Sequence, residues 1–199
     1  MLISGFAATS GRRAVKWIAV FAAVAVLIWL VVTYNGIVAL RQRTAQAFGD
    51  IDVQLKQRHD LVPNLVETVR GYAAHERGTF DAVIQARNAA AAARDPGQVA
   101  QSEGALQASL GRLVALSEAY PDLKANANFQ ALQGQLTDIE DKLAAARRFF
   151  NNAVAEYNAA IAAVPAVFFA APLGFAPKPF FDVGEGARAS LDAPPRVAF

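Results

Sequence analysis

The chain has 199 residues, 54% of them hydrophobic and 18% charged, with a formal net charge of +2. So small a charge, with no basic patch interleaved with aromatics, argues against nucleic acid as a partner, and the absence of cysteine excludes disulfides and thiol chemistry. The apolar excess, much of it alanine, points instead to membrane contact and closely packed helices.

Residues 1–13 form a short N-terminal segment ending in Arg12 and Arg13. After Lys16 comes "WIAVFAAVAVLIWLVV", Trp17–Val32, without a charge. A spanning helix needs about 20 apolar residues. The flanks extend the stretch to residues 14–34, because Lys16 can snorkel to the headgroups. Trp17, Trp29 and Tyr34 stand near the two ends, where interfacial aromatics belong. A cleaved secretory signal has a shorter apolar run, about 7–15 residues, closed by a small-x-small site. Here the run ends "VVTYNG" with no such site, so the sequence predicts a retained single-pass anchor. Arg12, Arg13 and Lys16 before the span outnumber Arg41 and Arg43 after it by one. That bias favours a cytoplasmic N-terminus and a main domain on the exported side of the cell membrane or of an internal bacterial membrane.

Residues 35–164 carry the pattern of a helical bundle. Ile37, Thr44, Phe48, Ile51, Leu55, Val62, Leu65, Val69 and Tyr72 recur at steps compatible with three and four, the stripe of an amphipathic helix. No strong stop separates this stripe from the anchor, so the two are expected to form one helix. Gly78 allows a break or bend, Thr79–Arg94 reads as a second helix and "RDPG", residues 94–97, as a turn. A third helix carries Val99, Leu106, Leu110, Leu113 and Leu116. Pro121 is expected to end it, and Asn126 or Asn128 to cap the next. In that last helix Phe129, Leu132, Leu136, Ile139, Leu143, Ala146, Phe150, Ala153 and Tyr157 alternate steps of three and four, and Ile161 follows one turn later. Such a heptad seam packs along another long helix, which predicts Leu136, Ile139 and Leu143 buried against the first one. The predicted fold is all-α: an N-terminal transmembrane helix continuing into an elongated antiparallel bundle of three to four long helices.

Residues 165–199 differ in character, with six prolines from Pro165 to Pro195. Phe168, Phe169, Phe175, Phe180 and Phe181 are too hydrophobic for a solvated tail. They are expected to cover the bundle, a neighbouring subunit or the bilayer surface.

Chemistry-bearing residues concentrate in "RHDLVPNLVETVRGYAAHE", Arg58–Glu76, which holds both histidines. His75 and Glu76 match the start of the zinc motif H-E-x-x-H, but Thr79 stands where the second histidine belongs. His59 lies about 160° around a helix from His75, so one straight helix cannot bring both to a metal. Asp50, Asp52, Asp60 and Glu67 read as a solvated face, and neither a phosphate-binding glycine loop nor a nucleophile elbow occurs. Pro63 either frees the His59 carbonyl within a helix or opens a new helix capped by Asp60. Arg58 and Asn64 beside it can satisfy freed backbone groups or bind a partner. The candidate interaction or structural residues are therefore Arg58, Asp60, Pro63, Asn64, His75 and Glu76, with the five tail phenylalanines; no catalytic, cofactor-binding or metal-binding residue is expected.

Three blocks together resemble the LemA family: "YN…IDVQLKQRHDLVPNLVETVRGYAAHE" (Tyr34 to Glu76), "YPDLKANANFQALQGQLTDIEDKLAAARRFFNNAVAEYN" and "VPAVFFAAPLGFAPKPFFDV". The resemblance implies a bacterial membrane protein with one N-terminal anchor, a helical bundle and no established enzyme activity. It also implies relatives in organelle-like membranes such as magnetosomes, or linked to membrane proteolysis or envelope stress. The expected function is a membrane-anchored scaffold that assembles with itself, with a membrane protein as a further partner and no cofactor. The alternatives are a membrane-remodelling protein whose tail enters lipid, and a hydrolase with its site at the Arg58–Glu76 bend.

Overall fold

The structure, a computed structural model, describes residues 4–181, with side chains from Val15 onward. Residues 1–3 and the end of the proline-rich tail, 182–199, lie outside the described residues. The described chain is all-α and holds no strand. Four long helices, α1 (Ser4–Arg70), α2 (Arg77–Ala92), α3 (Pro96–Ser117) and α5 (Ala127–Ala162), are joined by short connections. The connection between α3 and α5 contains a one-turn helix, α4 (Pro121–Lys124), and a 3₁₀ turn (Ala166–Phe168) follows α5.

The apolar span and the first amphipathic stripe are one helix. Every side chain from Val15 to Trp29 is exposed, an arrangement that lipid accommodates and water does not. This is the one helix among the described residues long and apolar enough to cross a membrane. The stripe beyond it faces inward, with Ile37, Thr44, Ile51, Leu55, Val62, Leu65 and Val69 buried. Its last member departs from expectation: α1 ends at Arg70, and Tyr72 is exposed, its hydroxyl accepting from Asn126 Nδ2 at 2.8 Å. The break likewise falls at residues 71–76 and not at Gly78, which lies inside α2. Gly71, a poor helix former, stands at the end of α1, and Ala73 then turns into the core.

Side-chain caps set the later boundaries. Asp95 accepts from the backbone N–H groups of Gly97 and Gln98 at 3.1 and 3.0 Å, and Pro96 takes the first position of α3, where a missing N–H costs nothing. Asn126 is the cap of α5, accepting from Phe129 N–H at 3.0 Å. Pro121 does not itself stop α3, which ends earlier at Ser117; it opens α4 from the N1 position.

The chain divides into two compact units. One comprises Thr44–Ala155 and Lys178–Phe199. Within it Ala47, Ile51 and Leu55 of α1 meet Leu143, Phe150 and Val154 of α5, whereas Leu61, Leu65 and Val69 share a cluster with Ile139, Leu136 and Phe129. Rising numbers on α1 match falling numbers on α5, so the two helices run antiparallel. Phe80 and Val83 of α2, and Leu106, Leu110 and Leu113 of α3, complete the same core. Each such side chain contributes about 1.5–3 kcal/mol on burial. The other unit comprises Met1–Arg43 and Glu156–Pro177. Its core joins Ile37, Tyr157 and Ile161 to Ala166, Ala170 and Phe175.

Candidate functional site

The α1 stripe skips a beat between Leu55 and Val62, and Arg58 occupies the missing inward position. On α3, Glu103 fills the same kind of gap between Val99 and Leu106. Both are 1% exposed, and they meet. Arg58 Nη1 donates to Glu103 Oε2 at 3.3 Å, and Nη2 donates to Glu140 Oε1 of α5 at 3.2 Å. The other Glu103 oxygen lies 2.5 Å from His59 Nε2. Arg147, one to two turns along α5 from Glu140, completes the group. Burial pushes its guanidinium below the usual arginine range and Arg58 adds to this, while Glu103 and Glu140 oppose it. Two guanidiniums and two carboxylates thus balance before His59 is counted. An unpaired charge at this depth costs several kcal/mol, so the cluster exists only as a set. It also selects which faces of α1, α3 and α5 meet, because a slipped helix would bury a charge without its partner. The Nε atoms of Arg58 and Arg147 are buried and have no hydrogen-bond partner among the described residues.

Beside this cluster a cleft of about 370 Å³ opens, lined by Asp52, Lys56, His59, Asp60, Arg87 and Arg94 among others. Burial raises the Asp52 carboxyl above the usual range, and Arg94 partly offsets it. Cations and carboxylates are intermixed here, and among the described residues no three His, Asp or Glu side chains converge as a metal would require.

Pro63 lies inside α1, which continues through it. Asp60 therefore caps no new helix; it is exposed on the wall of the cleft. The His59 carbonyl that Pro63 deprives of its N–H partner accepts from Arg87 Nε at 3.2 Å. Neither neighbour of the proline supplies that bond: Arg58 is engaged in the core, and Asn64 is exposed, its carbonyl taking the Thr68 hydroxyl at 2.8 Å. Removing this cover should be measurable. Arg87→Ala is expected to cost about 1–3 kcal/mol, the usual penalty for a stranded polar group. In a Pro63→Ala background, where residue 63 regains its N–H, the cost should shrink. Urea unfolding of the four proteins checks this, and additive effects would break the link between proline and arginine.

His75 is exposed and Glu76 half-buried at the start of α2; neither joins the Arg58 cluster. The tail phenylalanines divide. Phe175 is buried and Phe169 half-buried in the core of the unit that contains Met1–Arg43. Phe181 is buried in the other unit, where its backbone N–H and carbonyl are both bonded to the Asn151 amide at 2.8 and 3.1 Å. The Arg147 guanidinium stands 5.1 Å over its ring. Phe168 and Phe180 are exposed. Glu103, Glu140, Arg147, Arg87 and Asn151 are the residues that sequence reasoning missed. The usable signal was the pair of charges standing at stripe positions, Arg58 and Glu103.

Known proteins are similar to this sequence. A family model described as LemA family matches residues 47–199. Magnetosome protein MamQ of Magnetospirillum gryphiswaldense is 26% identical over 184 residues, covering 79% of this chain and 68% of that protein. Magnetosome proteins MamQ 1 and MamQ 2 of Paramagnetospirillum magneticum are each 24% identical over 195 residues, covering 85% of this chain and 72% of those proteins.

Proposed function

Because the chain belongs to the LemA family, we propose that it is a membrane-anchored helical scaffold of a bacterial membrane, acting by binding and self-assembly and not by catalysis. The observation that carries this reading is the unbroken α1, in which the segment long and apolar enough to cross a membrane and the first helix of the bundle are the same element. Whatever docks on the bundle is thereby held at the bilayer. The polar residues that looked most like a reactive set, Arg58, His59 and Glu103, are bonded to one another in the core, which supports a structural role. The likeness to magnetosome proteins fits a bacterial membrane setting.

Self-assembly draws support from α2, whose Ala89, Ala91 and Ala92 are exposed and permit close approach of a second helix. Tethering copies to one membrane raises their local concentration and favours such contacts. Full-length protein in mild detergent and in lipid nanodiscs is expected to run as particles holding more than one copy. Replacing Ala89 and Ala92 by glutamate should reduce those particles to single chains that remain helical by circular dichroism. A single chain per particle for the parent in every medium would remove self-assembly from the proposal. A mature chain shown by mass spectrometry to begin beyond Val32 would remove the anchor.

A further inference from the structure

The segment after α5 presents apolar side chains outward as well as inward. Inward, Ala166, Ala170 and Phe175 pack with Ile37, Tyr157 and Ile161. The Tyr157 hydroxyl donates to the Ala176 carbonyl at 3.1 Å. The turn that returns Phe175 to the core is made at Gly174, whose φ of +79° only glycine adopts without strain. Outward, Val164, Val167, Phe168 and Leu173 are 68%, 47%, 76% and 55% exposed. Four large apolar side chains facing water within ten residues require a reason.

Their position supplies one. The Phe175 ring lies 5.6 Å from the ring of Tyr34, edge to face, and Tyr34 stands at the far end of the apolar span. From Trp17 to Leu40 the chain carries no charge; the next is Arg41. At about 1.5 Å per residue, some 20 residues from Trp17 fill a hydrocarbon core of about 30 Å. Ile37 to Leu40 then fall in the headgroup layer, and the segment packed on Ile37, Val38 and Leu40 is held at that same depth. Resting on the reading of α1 as a membrane span, we propose that residues 164–173 are a second membrane contact, with Phe168, Val167, Val164 and Leu173 set into the acyl boundary of the leaflet that α1 leaves. The occupant is lipid, because the segment that carries the patch packs on Ile37, Val38 and Leu40 and touches Tyr34 through Phe175, where the apolar span ends. Apolar residues seated at this boundary bind by the area they bury, as in interfacial helices. A single helix fixes neither tilt nor rotation in a bilayer, and a second contact beside it fixes both.

The chain has no cysteine, so single Phe168→Cys and Leu173→Cys variants take one nitroxide label each. Both positions are exposed, and the change leaves the core intact. The full-length protein is reconstituted in phosphatidylcholine–phosphatidylglycerol nanodiscs, and collision of the label with oxygen, which partitions into lipid, is compared with collision with a water-soluble nickel chelate. Labels at Val26→Cys, inside the span, and Val53→Cys, about three turns beyond Arg41 on α1, mark lipid and water. The expected result is that positions 168 and 173 follow position 26, with nickel access several-fold below that at position 53. If 26 reports lipid while 168 and 173 follow 53, the contact is overturned and the anchor stands. If 168 and 173 are shielded from both agents, protein covers them and the lipid proposal fails. If 26 itself reports water, the spanning reading fails and the proposal goes with it.

Discussion

Arg58→Met alone is expected to destabilise the unit that holds the buried charges by about 3–5 kcal/mol, the range seen when one member of a buried ion pair is removed. The substitution keeps an apolar stem of similar length, so lost packing is a minor part of the effect. What it leaves is Glu103, whose side chain is 0% exposed, with His59 as its one remaining bonded partner among the described residues. Glu103→Leu should cost a similar amount by leaving two guanidiniums, Arg58 and Arg147, to share the one carboxylate of Glu140. The double variant, Arg58→Met with Glu103→Leu, should recover most of the loss, since well-packed apolar residues often replace a buried pair at no cost. Denaturant unfolding of the full-length protein followed by circular dichroism gives all four stabilities and the coupling between the sites. Salt is the control. The Arg58 pair should be insensitive to sodium chloride, whereas Arg43–Glu156, 2.8 Å apart with both side chains about half exposed, should weaken as salt screens it. A parent-like melt for Arg58→Met would show that the cluster is open to water.

The other large effect lies on the apolar seam. Leu143 is 1% exposed and packs in the cluster that holds Ile51, Leu55 and Phe150. Truncation to alanine is expected to cost about 2–5 kcal/mol, and Leu143→Asp more, because the carboxylate would be set among buried apolar side chains. The excess should depend on pH in a fixed direction. Burial would raise the folded-state pKa of the new carboxyl above its unfolded value, so the penalty is full at neutral pH. It should fade as pH falls through that raised pKa, when the neutral acid is buried at lower cost. Unfolding of parent and variant at neutral and acidic pH measures the difference. A deficit that does not change with pH would mean that the introduced side chain reaches solvent.

Much of this architecture was legible in the residues alone. A segment long and apolar enough to cross a membrane follows from a charge-free run of sufficient length, and its continuation along α1 from the lack of a break. The α5 seam was read position by position, and of its ten members only Leu132 and Ala146 are half-buried, the rest being buried. Periodicity succeeds here because it is a property of one helix and needs no knowledge of what the helix faces. The same reasoning mislaid the end of α1, because a stripe cannot tell a final helical residue such as Val69 from a turn residue such as Tyr72 that happens to keep the spacing.

The polar interior was a different problem. Arg58 was visible as a candidate, yet its partner Glu103 stands 45 residues away and Glu140 82 residues away. No local pattern links residues that distant. Arg87 was equally silent until α2 was laid beside Pro63, and Asn151 until the tail reached it. The sequence by itself determined the long apolar segment, the all-α class and which faces of α1 and α5 are apolar, because burial of an apolar stripe is dictated by helical period and composition. Tertiary structure alone decided which buried charges neutralise one another, what satisfies the carbonyl that Pro63 frees, and which tail phenylalanines are covered, because pairing and cover depend on which side chains packing brings together.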